Sequence, residues 1–213
     1  MTSTEIPALL SIVFTTQNDD SKIHGIISQI EDIVSRIASD YEIIIVDNGS
    51  TDNTSNILQL LTSENGKSNL QVYTLAGRVD DFTARWVGIE NAIGDIIAAI
   101  DPRHGDINHL ELLAREAASG NDIVLTMRTF PRGRKSFLRT LTYKAFGVAT
   151  KVATGLDLDS YSTSLISISR KVINYLLQFP DPQIKFRNIA STTGFKRTSI
   201  AIPPHFSLSL IHI

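Results

Sequence analysis

The chain has 213 residues, 42% hydrophobic and 20% charged, which suffices for one domain with a buried core and is too short for two large ones. A net charge of -2 argues against a general nucleic-acid binder, and the absence of cysteine excludes disulfides and thiolate metal sites. The residues before Ser11 lack a basic segment followed by an apolar run, and no stretch of roughly 18 apolar residues occurs, so neither a secretory signal nor a membrane span is expected.

In chain order, short β-branched runs alternate with helix-length amphipathic stretches, the pattern of βαβ units around a mainly parallel sheet. Strands are predicted at Leu9 to Thr15, Glu42 to Asp47, Leu70 to Thr74, Ile96 to Ile100 and Ile123 to Thr126. The first helix runs from Ser21 to Ala38, with Ile23, Ile26, Ile27, Ile30, Ile33, Val34 and Ile37 at helical spacing and Ser21 as its N-cap. Further helices are expected at Thr54 to Leu61, Phe82 to Ala92 and Asn108 to Ser119, the last ended by Gly120 where a C′ glycine belongs. Trp86 is placed to pack against Phe82, with base stacking as the alternative, and His24 belongs to the helix surface.

From Ile123 through Leu156 there is no acid, while Arg128, Arg132, Arg134, Lys135, Arg139, Lys144 and Lys151 all occur. Phe137, Leu138, Leu141, Tyr143 and Phe146 fit one side of a helix whose other side is basic. Two readings stay open: a core-packing helix with a solvated basic face, or attraction of the 128–151 region to an anionic membrane surface or a phosphate-bearing acceptor.

Ligands of an open parallel sheet bind beyond the carboxyl ends of its strands. Three polar clusters fall there: TTQNDD (Thr15 to Asp20), VDNGSTD (Val46 to Asp52) and IDPRHGD (Ile100 to Asp106). None is a glycine-rich phosphate loop, which disfavours a dinucleotide oxidoreductase and a P-loop nucleotidase. Acids at strand ends instead accept hydrogen bonds from a base or ribose, or hold a hard cation bridging a diphosphate. After Asp47 the pair Asn48-Gly49 turns the chain, and Ser50 or Asp52 is positioned to cap the next helix; a plain βα turn would look the same.

SIVFTTQNDD followed by YEIIIVDNGSTDNT resembles the paired opening of family 2 glycosyltransferases, S-V-V-I-P-x-Y-N-E-E and E-I-I-V-V-D-D-G-S-T-D-x-T. ARWVGIENAIGDIIAAID is similar to the family's A-R-N-x-G run ending in an acid, and DIVLTMR resembles its D-V-V-x-G-S-R strand. SLISISRKVINYLL and GFKRTSIAIPPH resemble the tail of polyprenyl-phosphate and dolichyl-phosphate hexose transferases. The resemblance covers nearly the whole chain in order and spacing. It implies one domain over 1–213 with a GT-A fold, an α/β Rossmann-like sandwich with a mainly parallel central sheet flanked by helices. Its nucleotide-binding part would span about 8–128 and its acceptor-side part about 129–213.

The activity implied is inverting transfer of a hexose from a UDP- or GDP-sugar to a phosphate or hydroxyl acceptor, with a polyprenyl phosphate as one candidate. By the same resemblance, Thr15 and Asn18 fall in the first nucleoside loop, Asp47 matches the acid that contacts the base, and Arg85 matches an arginine near the donor. Asp101 matches the first acid of the D-x-D motif that holds a divalent cation, Mg or Mn, on the diphosphate. Direct displacement would invert the anomeric carbon, with the cation held by Asp101 stabilising the charge of the departing diphosphate. The location implied is cytoplasmic, with contact at the inner membrane face, and a homo-oligomer is left open.

The sequence departs from the pattern at named positions. Arg103 stands at the third position of D-x-D, Thr15 replaces proline, Gln17 tyrosine, Asn48 the second acid of D-D-G-S, and Trp86 the asparagine of A-R-N. Three consequences are open for Arg103: it neutralises the diphosphate itself and makes the cation dispensable, His104 or Asp106 completes a cation site, or catalysis is lost and a nucleotide- or protein-binding module remains. His104 and Asp106 also read as solvated loop residues, as Asp157 and Asp159 do beside their reading as acceptor contacts. A doubly wound signalling receiver domain fits the fold pattern less well, for want of a lysine after a fifth strand.

Overall fold

The computed structural model describes residues 5–63, 66–128, 161–187 and 194–202. The basic stretch beyond Arg128, Asp157, Asp159, His205 and His212 lie outside the described residues. The elements are β1 (Leu10–Thr16), α1 (Ile23–Ile37), β2 (Tyr41–Asp47), α2 (Thr54–Leu61), β3 (Leu70–Thr74), α3 (Asp81–Asn91), β4 (Ile96–Ile100), α4 (Leu110–Ala118), β5 (Ile123–Arg128), β6 (Tyr161–Ser169), α5 (Arg170–Leu176), α6 (Pro182–Arg187) and β7 (Arg197–Ile202). Two short 3₁₀ turns, Pro102–His104 and Asp106–His109, link β4 to α4.

The strands form one sheet in the order β3-β2-β1-β4-β6-β5-β7. Every pairing is parallel except those of β6, which runs against both β4 and β5. Because strand residues point alternately to the two faces, the Ile- and Val-rich runs fill two layers. On one face Leu10, Ile12, Phe14, Ile43, Ile45 and Ile100 meet the apolar sides of α1 and α4. On the other Val13, Ile44, Ile97 and Ile166 meet Trp86 and Ile89 of α3, Val172 and Ile173 of α5, and Phe186 of α6. Gly88 lets α3 lie close on that second face, since a Cβ there would stand 2.5 Å from Val13 Cγ1.

Several local expectations hold. Gly120 takes φ +92 just after α4 and donates to Ala117 O, Trp86 is buried, and His24 is exposed on α1. Others are corrected. Ser21 does not cap α1; Lys22 occupies that position without a side-chain bond, and Lys22 N and Ile23 N both donate to Asp19 O at 2.8 Å. The turn at Asp19 folds a carbonyl back over the helix start and so replaces a hydroxyl cap. α4 starts at Leu110 rather than Asn108 because residues 106–109 form a 3₁₀ turn, and α3 starts at Asp81, capped by Asp80 on Thr83 N. The strands β6 and β7 were not among the predicted ones; each pairs with β5, a partner far away in the chain.

At the amino ends of the strands a buried carboxylate ties four segments. Glu42 accepts from Ser11 Oγ at 2.5 Å, from Gln71 Nε2 at 2.7 Å and from Ile93 N at 2.7 Å, while Ser11 Oγ accepts from Gly94 N at 2.8 Å. Replacing Glu42 by Ala strands three donors at once. The variant Glu42→Ala is expected to lose on the order of 3 kcal/mol in denaturant unfolding, and a loss within measurement error would show that these donors find other partners.

Candidate functional site

All three polar clusters reach one edge of the sheet. Thr16 pairs with Asp47 at the ends of β1 and β2, and Phe14 pairs with Ile100 at the end of β4, so the loops that follow face the same side. There the loops close on one another. Asn18, at φ 53, donates its backbone N–H to Ser50 Oγ at 2.9 Å and accepts from Thr51 N at 2.8 Å. Asp19 N donates to Thr54 Oγ1 and Asp20 N to Asp52 Oδ2, while Asp52 Oδ1 accepts from Thr54 N at 2.9 Å. Neither Ser50 nor Asp52 is the N-cap of α2, a position that Asn53 fills without a side-chain bond; Asp52, one residue before it, holds Thr54 N, and Ser50 holds Asn18.

Asn48 does more than turn the chain. Its Nδ2 donates to Val79 O and its Oδ1 accepts from Val79 N, each at 2.9 Å, which pins the loop after β3 beside the loop after β2. An aspartate at this position has no donor for the Val79 carbonyl. Gly49, at φ +68, is the close approach that makes this possible, because a Cβ there would stand 2.7 Å from Arg78 N.

The expected nucleoside contacts are placed as follows. Thr15 is buried inside β1, level with Val46, and does not reach the loop. Asn18 is exposed at the edge. Asp47 is fully buried, with Oδ1 accepting from Ser50 N at 3.1 Å and Oδ2 from Ser55 Oγ, so its carboxylate is committed to its own turn and helix.

Beside these loops lies a charged centre. Asp101 follows β4 directly with 5% of its side chain exposed, and Arg103 folds back over it. Arg103 donates from Nε to Asp101 Oδ1 at 3.0 Å, from Nη2 to Asp101 Oδ2 at 3.2 Å, and from its backbone N–H to Oδ1 at 3.0 Å. The same Nη2 reaches Asp81 Oδ2 on α3 at 3.1 Å. The side-chain bond to Asp101 raises the already high pKa of Arg103, against a lowering by burial. Arg85 follows Asp81 by one helical turn and is 5% exposed. Burial lowers its pKa, and the charges of Asp101, Asp106 and Asp81 work the other way, so it remains a buried cation among acids.

Asp106 is 1% exposed, with Oδ2 accepting from Asp101 N at 3.2 Å, which corrects the expectation of a solvated loop residue. A 3₁₀ turn closed at Gly105, φ 71, carries it back under Asp101. Asp81 was missed by the sequence reading; the signal was its place one turn before Arg85. Trp86 packs on Phe186 at 5.5 Å between centroids, and Phe82 on the same ring at 5.2 Å, so the partner is an α6 ring shared by both rather than Phe82 alone.

This donor set does not fit a resident divalent cation. Both Asp101 oxygens carry guanidinium hydrogens, and no group of three or more His, Asp or Glu side chains suited to a metal occurs among the described residues.

Against known proteins, the model of the family described as glycosyl transferase family 2 matches residues 11–200. An undecaprenyl-phosphate 4-deoxy-4-formamido-L-arabinose transferase of Pseudomonas fluorescens is 26% identical over 197 residues, 92% of this chain and 56% of that protein. The chain thus spans little more than half the length of this relative. Among solved structures, a mannosyltransferase from Pyrobaculum calidifontis in complex with GDP-Man and Mn2+ aligns at TM-score 0.59 and 16% identity, over 95% of this chain and 58% of that one. Glucosyl-3-phosphoglycerate synthase from Mycobacterium tuberculosis, in complex with Mn2+, UDP and glucosyl-3-phosphoglycerate, aligns at 0.57 and 18%, over 95% and 74%. These likenesses establish the fold as GT-A.

The pinning of the loop after β3 is testable at one atom. The variant Asn48→Asp exchanges a donor for a charged oxygen facing Val79 O and should lose about 1–3 kcal/mol in unfolding experiments, with faster amide exchange across residues 75–80. Unchanged exchange there would show that the loop is held by other contacts.

Proposed function

The chain belongs to glycosyl transferase family 2, and from that premise we propose that it transfers a hexose from a UDP- or GDP-sugar to a phosphate or hydroxyl acceptor, inverting the anomeric carbon. The observation that carries this reading is the convergence of the loops after β1, β2 and β4 on one edge, with the ionic centre of Asp101, Arg103, Asp81 and Arg85 beside them. Neighbours of the same fold bind GDP-Man or UDP, which supports a nucleotide-sugar donor at this edge.

In the reaction, a lone pair of the acceptor oxygen forms a bond to the anomeric carbon as the bond from that carbon to the diphosphate oxygen breaks. The nucleoside diphosphate leaves with the bonding electrons. Charge develops on the departing oxygen, and a fixed cation beside it lowers the barrier most when it is already held in place. Arg103 is held by Asp101 and Asp81, and Arg85 supports the acids from the buried side. Asn18 presents its polar surface to the nucleoside, while Thr15 and Asp47 shape that wall from within through β1 and the Ser50–Ser55 turn.

An acceptor phosphate is already ionised and needs no base; a hydroxyl would have to lose a proton. The relative named for undecaprenyl phosphate supports a polyprenyl phosphate acceptor. The basic residues from Arg128 to Lys151 suit such an anionic acceptor or an anionic membrane surface. No helix of the described residues is long and apolar enough to cross a membrane. Mn2+ accompanies the nucleotide in the neighbouring structures, whereas here the Arg103 guanidinium takes both Asp101 oxygens.

Incubation with UDP- or GDP-hexose and undecaprenyl phosphate should yield a lipid-linked sugar of inverted anomeric configuration, followed by chromatography and NMR. The variant Asp101→Ala, which releases Arg103, is expected to lose about 10²-fold or more in transfer rate. Failure of both UDP and GDP to bind in a calorimetric titration would sink the transferase reading.

A further inference from the structure

We infer that Arg103 takes the place of the divalent cation in this chain, so that the donor diphosphate binds to a protein-supplied guanidinium without metal. The inference rests on the nucleotide-sugar reading above and adds how the diphosphate is recognised.

The first ground is which group faces outward. The Arg103 side chain is 38% exposed and that of Asp101 5%, so the cation stands on the solvent side and the carboxylate behind it. An anion approaching the end of β4 meets a guanidinium first. Its planar fork matches phosphate oxygens, and Nη1 lies outside the bonds to Asp101 and Asp81.

The second ground is the hold on Arg103. Two side-chain bonds and one backbone bond to a buried carboxylate fix its plane, which lowers the ordering cost when a ligand arrives. The link to Asp81 differs, because that side chain is 56% exposed and exposed pairs of this kind contribute little. A diphosphate can displace Asp81 while Asp101 keeps its grip.

The third ground is the cost of a metal. A divalent cation at Asp101 would have to take oxygens already bonded to a permanent positive charge about 3 Å away, and would be repelled by it. Arg85, buried within reach of the same acids, adds to that repulsion.

The test is calorimetric titration of UDP and GDP into the purified chain, first with EDTA and then with Mn2+. One nucleotide should bind equally under both conditions. Arg103→Ala should weaken it about tenfold or more, and Asp81→Asn should tighten it. Arg103→Asp, which restores two acids at D-x-D spacing, should bind only when Mn2+ is present. Binding by the unaltered chain that disappears in EDTA and returns with Mn2+ would overturn the inference and leave the transferase reading standing. No binding of either nucleotide under any condition would overturn both.

Discussion

Parallel alignment is the constraint on which the rest of this structure depends. Among the described strands only β6 runs against its neighbours, so the loops leaving β1, β2 and β4 emerge at one edge. Both faces of the sheet are covered by helices and filled by Ile, Val, Leu and Ala. The buried carboxylates therefore lie at the two edges, and each edge is organised differently. At the amino edge Glu42 gathers Ser11, Gln71 and Ile93 into a closed network. At the carboxyl edge the same kind of bonding ties loop to loop and leaves Asn18, Arg78 and Arg103 at the surface.

The carboxyl edge has two parts with different chemistry. The wall built from Asn18, Asn48, Ser50 and Asp52 is held mostly by bonds to backbone groups, which fix shape at modest electrostatic cost. The centre built from Asp101, Arg103, Asp81, Arg85 and Asp106 is ionic and partly buried, and its buried members Asp101, Asp106 and Arg85 lie among opposite charges.

Substitutions away from the family pattern turn out to be consistent with one another. Asn48 gains a donor that an acid lacks and spends it on Val79 O. Arg103 brings a charge that Asp101 then holds. Trp86 fills the space over Phe186 and closes the core beneath the helix that carries Asp81 and Arg85. Each altered residue has a bonded or packed partner in the same fold.

The sequence by itself determined the five predicted strands, their alternation with helices, and the three polar clusters at strand ends. Hydrophobic period and turn residues are local properties, readable over a few neighbouring positions. Asp101, Arg103 and Arg85, singled out in the sequence, come together in one ionic centre. Only the tertiary structure decided the rest. The strands β6 and β7 exist through pairing with β5, across tens of residues of chain, and such pairing leaves no local mark. The commitment of Asp47 to Ser55, the burial of Asp106, and the reach of Arg103 to Asp81 on another helix depend on how elements approach in space. A charged residue's type is written in the chain, but its partner is chosen by packing.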